Sequence, residues 1–221
     1  MSKANGLAIT EQAPETEGRT IRSWARYYDL VSNIISLGRG KAIHRAIVKA
    51  AKPAAGESVL DVGCGTGTLA LMLEEKVGDA GRVEGIDASP EMIAEAHKKV
   101  DRRASHSRFK VALVEQISFE DDEFDLVVSS FMFHHLPKHL KRDGLAEIRR
   151  VLKPDGRLLL VDFARDSGSL IGHLLSVFGG HSHGNDSTEL ISMIEDAGFA
   201  EVRRLKSRRP EAAIVASGSK A

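Results

Sequence analysis

The residues best placed to do chemistry lie in Val59-Leu60-Asp61-Val62-Gly63-Cys64-Gly65-Thr66-Gly67 and in Asp87, 20 residues after Gly67. A short apolar run enters three alternate glycines and leaves into a helical pattern. Glycines there permit a tight turn with φ > 0 and let a ligand lie against the backbone. The helix N-terminus behind them offers N–H groups to an anion. Asp87 ends the next strand-like run, where a carboxylate can accept ribose hydroxyls as charge-assisted hydrogen bonds. Met92 follows one turn into the next helix and can pack on the face of a base.

The spacing selects among ligands. A dinucleotide fingerprint needs a glycine at position 68, which is Thr68, and a phosphate loop needs a Gly-Lys-Ser/Thr ending, which is absent. G-x-G-x-G behind an acidic residue suits a ligand whose near end is an amino acid. S-adenosylmethionine has that end: a carboxylate for N–H groups and an ammonium for acidic or carbonyl groups. A plain strand–helix turn explains the glycines taken alone; strand, loop, helix and Asp87 in order favour the ligand. The candidate cofactor set read from these runs is Asp61, Gly63, Cys64, Gly65, Gly67, Asp87, Ala88 and Met92. Cys64 belongs to it by position, while its thiol reads as a small packed group rather than a nucleophile, since no partner base can be named.

His134 and His135 follow an apolar run at 124–130 and are candidates for a general base or for orienting an acceptor. Packing and capping before Pro137 explain them as well. Tyr28, beside Tyr27 and Asp29, reads as an aromatic on an amphipathic helix.

Positioning these groups requires a sheet. Ser58–Val62, Arg82–Asp87, 108–114, Phe124–Ser130 and Gly156–Phe163 read as strands. Helices are expected at Leu69–Val77, Ser89–Val100 with Ser89 as N-cap and Pro90 first, and about 138–152. Such alternation implies a doubly wound parallel sheet with ligands at the carboxyl ends of its strands. A helix over Leu190–Ala197 stops at Gly198, and 199–206 with 211–217 read as an antiparallel hairpin. Residues 1–18 read as a flexible tail. The rest reads as one domain, a helical cap over 19–54 and a sheet core over 55–221.

Composition narrows the classes. The chain has 31 Lys plus Arg against 31 Asp plus Glu, so no global field favours nucleic acid, and none is expected as a partner. The cluster Arg203, Arg204, Lys206, Arg208 and Arg209 is the best candidate basic patch for RNA or anionic lipid, and reads more readily as a solvated strand face and turn. With one cysteine, an internal disulfide is excluded and a several-thiol metal site disfavoured. His181 and His183 are spaced like metal ligands, but no metal is expected. Residues 2–20 lack the apolar stretch of an export signal, so the expected setting is cytoplasmic.

Tyr27-Tyr28-Asp29-Leu30, Val59 to Gly67, Gly85-Ile86-Asp87-Ala88-Ser89-Pro90-Glu91-Met92, Phe119 to Val128, His134-His135-Leu136-Pro137 and Glu147 to Phe163 together resemble class I S-adenosylmethionine-dependent methyltransferases. The nearest group is that of the ubiquinone/menaquinone biosynthesis C-methyltransferases and small phospholipid N-methyltransferases. The resemblance implies a Rossmann-like seven-stranded sheet with an antiparallel last hairpin and N-terminal helices over the site, which makes Tyr28 a candidate acceptor contact and equally a packed aromatic. It implies that Asp61 and Gly63 lie near the methionyl group, that Asp87 holds the ribose, and that Ala112 to Phe119 form the adenine loop. The family usually has Asp where this chain has Leu113, leaving Glu115, Gln116 or a backbone group to make that contact. The expected reaction is methyl transfer to a small acceptor. Apolar residues over Ser169–Phe178 suit a lid for an apolar, quinone-like or lipid acceptor, and also a peripheral membrane contact, a dimer contact or plain core. The competing readings are a noncatalytic, partner-dependent methyltransferase-like subunit and an NAD-dependent oxidoreductase.

Overall fold

The computed structural model describes residues 14, 16–18, 38–162, 186–204 and 214–220. The expected helix bearing Tyr27, Tyr28 and Asp29, the segment 169–178, His181, His183, Lys206, Arg208 and Arg209 lie outside the described residues.

Apolar runs bounded by glycine, proline and capping residues become the elements α1 (Gly40–Ala51), β1 (Ser58–Val62), α2 (Thr68–Val77), β2 (Arg82–Asp87), α3 (Pro90–Arg103), β3 (Arg108–Val111), β4 (Phe124–Ser130), α4 (Lys138–Val151), β5 (Leu152–Asp162), α5 (Ser187–Asp196), β6 (Phe199–Arg204) and β7 (Ile214–Lys220). Local chemistry sets many ends. Lys52 ends α1 in the left-handed conformation at φ 47°, its amide donating to the Val48 carbonyl at 3.1 Å. The Ser89 hydroxyl accepts the Met92 amide at 3.2 Å and starts α3 behind Pro90. Asp186 accepts the Thr188 amide at 2.8 Å and starts α5.

The strands form one sheet in the order β3-β2-β1-β4-β5-β7-β6. β3, β2, β1, β4 and β5 pair in parallel, while β7 runs antiparallel between β5 and β6. Alternate residues of each strand feed opposite layers. Val59, Val83, Leu126, Val128, Leu159 and Val161 pack with α1, α2 and α3. Leu60, Val62, Ile86, Val127, Leu158 and Leu160 pack with α4 and α5. The chain reverses its winding between β1 and β4, and the crevice above that reversal is where open α/β sheets bind ligands.

Three strand bounds differ from the sequence expectation among the described residues. The last strand, expected to end at 217, runs to Lys220, which pairs with Phe199. β3 stops at Val111 rather than 114, because β2 ends at Asp87 and offers no further partner. β5 begins at Leu152 rather than Gly156, because Leu152 pairs with Phe124 across a register shift that accommodates Pro154.

Packing at the glycine loop gives a testable contrast. Gly67 has φ +75°, and an added Cβ would lie 2.7 Å from the Phe109 ring and 3.1 Å from Ala96. Gly56 has φ +84° but open space around that position. Gly56→Ala should cost only backbone strain, about 1–2 kcal/mol. Gly67→Ala adds the overlap and should cost about 2–4 kcal/mol, read from denaturant midpoints at equal m. Equal losses at the two positions would show that Phe109 yields freely.

Candidate active site

The carboxyl ends of β4, β1, β2 and β3 surround one cavity. Gly63 and Gly65 border it after β1, and Asp87 and Ala88 after β2. Met92 enters from α3, and Ala112, Leu113, Val114 and Glu115 from the loop after β3. Ser130, Phe131, Met132, His135 and Leu136 close the β4 side. Thr16 and Gly18 of the N-terminal segment complete the wall.

The glycine loop works differently from the sequence expectation. Its amides are largely consumed within the protein: Gly63 and Cys64 donate to the Ile86 carbonyl at 2.8 and 2.9 Å, and Gly67 donates to the Cys64 carbonyl at 3.0 Å. The Gly65 amide donates to Asp87 Oδ2 at 2.9 Å. The loop is therefore a rigid shelf clamped to β2 rather than a ring of open donors. Gly63 matters by closeness, since a Cβ there would fall 2.5 Å from Met132 Cγ. Gly67 and Cys64 lie outside the cavity wall. Cys64 is buried in the layer beneath, and burial raises its thiol pKa well above the ordinary value.

Asp87 keeps capacity for a ligand. Its Oδ1 accepts the Ser89 amide at 2.9 Å and its Oδ2 the Gly65 amide. A carboxylate has about four lone-pair sites, so one remains on each oxygen for a hydroxyl at the cavity. Burial raises the Asp87 pKa, and these two amides offset part of the rise.

Asp61 is fully buried on β1 behind the loop and does not line the cavity. Neither of its carboxylate oxygens makes a hydrogen bond of good geometry. Burial, and then the charge of Asp87, pushes its pKa up to about 7, with the Ala70 amide offsetting a smaller part. A cation beside these two carboxyls would lower the cost of their buried charge. The unfolded carboxyl titrates near 3.8. The folded chain therefore holds a proton that the unfolded chain has lost between about pH 4 and 7, so stability falls as pH rises through that window. Asp61→Asn should flatten that fall, read from melting temperatures of the ligand-free protein at pH 5 and 8; an unchanged slope would show that Asp61 ionises freely.

The two histidines separate cleanly. His134 has its Nδ1 2.6 Å from Asp162 Oδ1, and its backbone amide donates to Asp162 Oδ2 at 2.7 Å. Asp162 is fully buried at the end of β5. His134 is thereby anchored away from the cavity, whereas His135 lines it, with the two rings 3.9 Å apart. A single 3-10 turn, Phe133–His135, creates this difference. Phe131 before it adopts φ +55°, unusual for a non-glycine residue and located at the cavity wall.

The two proposed substitutes for the missing adenine contact also diverge. Glu115 borders the cavity, and its Oε1 accepts the Thr16 hydroxyl at 3.0 Å. Gln116 is exposed and outside the wall, because the turn that bridges Leu113 to Gln116 directs it outward. Arg150 holds the following segment, donating to the carbonyls of Ile117 at 2.7 Å and Phe119 at 2.9 Å. Asp162, Met132 and Thr16 escaped the sequence reading. An aspartate ending a core strand was the available signal for Asp162; the other two positions carried none.

Among the described residues, no group of three His, Cys, Asp or Glu is placed to hold a metal. None of the described helices is long and apolar enough to cross a membrane.

Residues 59–156 match the family model described as a methyltransferase domain. The demethylmenaquinone methyltransferase of Halalkalibacterium halodurans is 32% identical over 155 residues, covering 70% of this chain and 62% of that protein's length. The ubiquinone/menaquinone biosynthesis C-methyltransferase of Azotobacter vinelandii is 30% identical over 175 residues, covering 76% of this chain and 68% of that protein. A crystal structure of a SAM-dependent methyltransferase from Aquifex aeolicus superposes with a TM-score of 0.67 at 25% identity, over 80% of this chain and 89% of that one. The chain belongs to the class I S-adenosylmethionine-dependent methyltransferases, in the group of the ubiquinone and menaquinone biosynthesis enzymes.

Proposed function

We propose that this chain transfers a methyl group from S-adenosylmethionine to a ring carbon of a small, apolar, quinol-type acceptor. One observation carries the reading: a single cavity places Asp87 at β2 and His135 beyond the glycine shelf at β4. The printed names of the relatives, a demethylmenaquinone methyltransferase and a biosynthetic C-methyltransferase, support the acceptor class.

S-adenosylmethionine brings an already activated methyl group on a sulfonium. The protein's part is to bind, orient and keep water out, and orientation alone is worth roughly 7–11 kcal/mol in favourable cases. Asp87 holds the ribose, and the shelf at Gly63 and Gly65 receives the amino-acid end. Phe131, Met132 and Leu136 give the β4 side an apolar wall against which a ring can lie. His135 accepts the proton of a ring hydroxyl, which concentrates electron density on the adjacent ring carbon. As that carbon takes the methyl group the carbon–sulfur bond breaks, S-adenosylhomocysteine leaves, and the hydrogen of the methylated ring carbon is lost as a proton. Tyr28 is the proposed acceptor contact from the N-terminal segment. His134 and Asp162 fix the turn that carries His135.

The test is transfer of isotopically labelled methyl to a naphthoquinol with an open ring position, beside the ring-methylated quinol and a phosphoethanolamine control. Label on the open ring carbon supports the reading. Label on the amine alone overturns it.

A further inference from the structure

The sheet gives the cavity a direction. Its wall passes from β4 through the glycine shelf at β1 and Asp87 at β2 to the loop after β3. If the methyltransferase reading above holds, with ribose at Asp87, the purine base falls against that last loop. Its surroundings there are Met92, Ala112, Leu113 and Val114, of which Met92 and Val114 are buried in the core. Among the described residues lining this end, Glu115 carries the ionisable side chain, and Thr16 donates its hydroxyl to it at 3.0 Å. The Thr16 oxygen accepts the Gly18 amide at 3.0 Å, so Thr16 ties Glu115 to the N-terminal segment while the carboxylate keeps further acceptor sites, which makes Glu115 the competing partner that the experiment below must separate from Leu113.

We infer that Leu113 makes the site indifferent to the purine 6-amino group: the base is held by apolar contact and shape, and not by a hydrogen bond to that group. A site built to bond an amino group rejects an analogue lacking it, because the site's own buried polar group is left unpaired. An isobutyl side chain at that place has nothing to leave unpaired. Removing the amino group also spares the ligand the loss of its own hydration. The site should therefore admit cofactors altered at the purine 6-position.

The experiment titrates the full chain by calorimetry with S-adenosylhomocysteine and with its analogue bearing hydrogen in place of the 6-amino group. The wild-type chain should bind the analogue within about threefold of the parent, or more tightly. Leu113→Asp should shift the ratio by about 10–100-fold toward the amino ligand, the range of one hydrogen bond to a charged group. Leu113 is only partly buried, so the position takes a polar side chain. Leu113→Asn supplies the same acceptor without charge and should shift the ratio in the same direction. A tenfold or greater wild-type preference for the amino ligand overturns the inference, and its loss in Glu115→Ala would assign the contact to Glu115. Absence of binding by folded wild-type protein to either ligand overturns the methyltransferase reading with it, an outcome distinct from binding with strong preference.

Discussion

Asp87→Ala is expected to weaken S-adenosylhomocysteine binding by about 10²–10³-fold. Each oxygen of the carboxylate already accepts one backbone amide, from Ser89 and from Gly65. Asp87 borders the cavity, and its remaining acceptor capacity is what the proposed ribose would use. Two hydrogen bonds to a charged acceptor are worth about 1.5–3 kcal/mol each, and some of that is returned by water entering the truncated site. The substitution acts a second time through the protein, because the Gly65 amide loses the acceptor that ties the shelf to β2. Asp87→Asn separates these effects: it keeps the volume but must turn an NH₂ toward one of the two amides. It should lose nearly as much affinity as the alanine variant. Calorimetry on variants whose melting curves show a cooperative fold checks both. Affinity within threefold of wild type for Asp87→Ala would remove the ribose from this carboxylate.

The loop and its aspartate were legible because their chemistry is local. A buried strand, a turn that requires left-handed residues and a capped helix follow one another within a few residues, and Ser89 and Pro90 mark the next helix unaided. The runs at β1 and β4 matched their bounds because strands buried on both faces read as largely apolar stretches, while β2, which carries Arg82, Glu84 and Asp87, is bounded by Gly81 before it and by the Ser89-Pro90 helix start after it. What sequence could not show depends on partners far along the chain. The end of β3 was set by the end of β2, and the start of β5 by Phe124, 28 residues earlier. The glycine amides seemed open to a ligand because their acceptor, the Ile86 carbonyl, lies on the neighbouring strand. His134 and His135 are identical in type and adjacent, so only the 3-10 turn and the distant Asp162 could separate an anchored ring from one facing the cavity. Glu115 and Gln116 divided in the same way, through a turn that no composition rule displays.

That separation makes His135 the site of the other large expected effect. His135→Ala should lower kcat by about 10²–10⁴-fold, the usual contribution of a positioned general base. Binding of S-adenosylhomocysteine should change by no more than about threefold, since the places proposed for the ribose and amino-acid ends are Asp87 and the shelf. Loss in kcat without loss of cofactor affinity is the signature of a group that acts on the reacting acceptor. Packing alone would give another pattern. His135→Phe keeps an aromatic ring against His134 but cannot take up a proton, so an enzyme that needs the base loses activity with phenylalanine as with alanine. If His135→Phe retains wild-type kcat, the ring only packs, and proton removal belongs to another group or to water. His134→Ala should behave differently again. It removes the ring's contact with Asp162, a carboxylate with no exposed surface. Losing one partner of a buried polar pair costs about 1–3 kcal/mol or more in stability. Its first effect is therefore on the melting temperature, and kcat falls only as far as the turn carrying His135 loosens. The pair of variants thus distinguishes the histidine that meets the acceptor from the one that holds it in place.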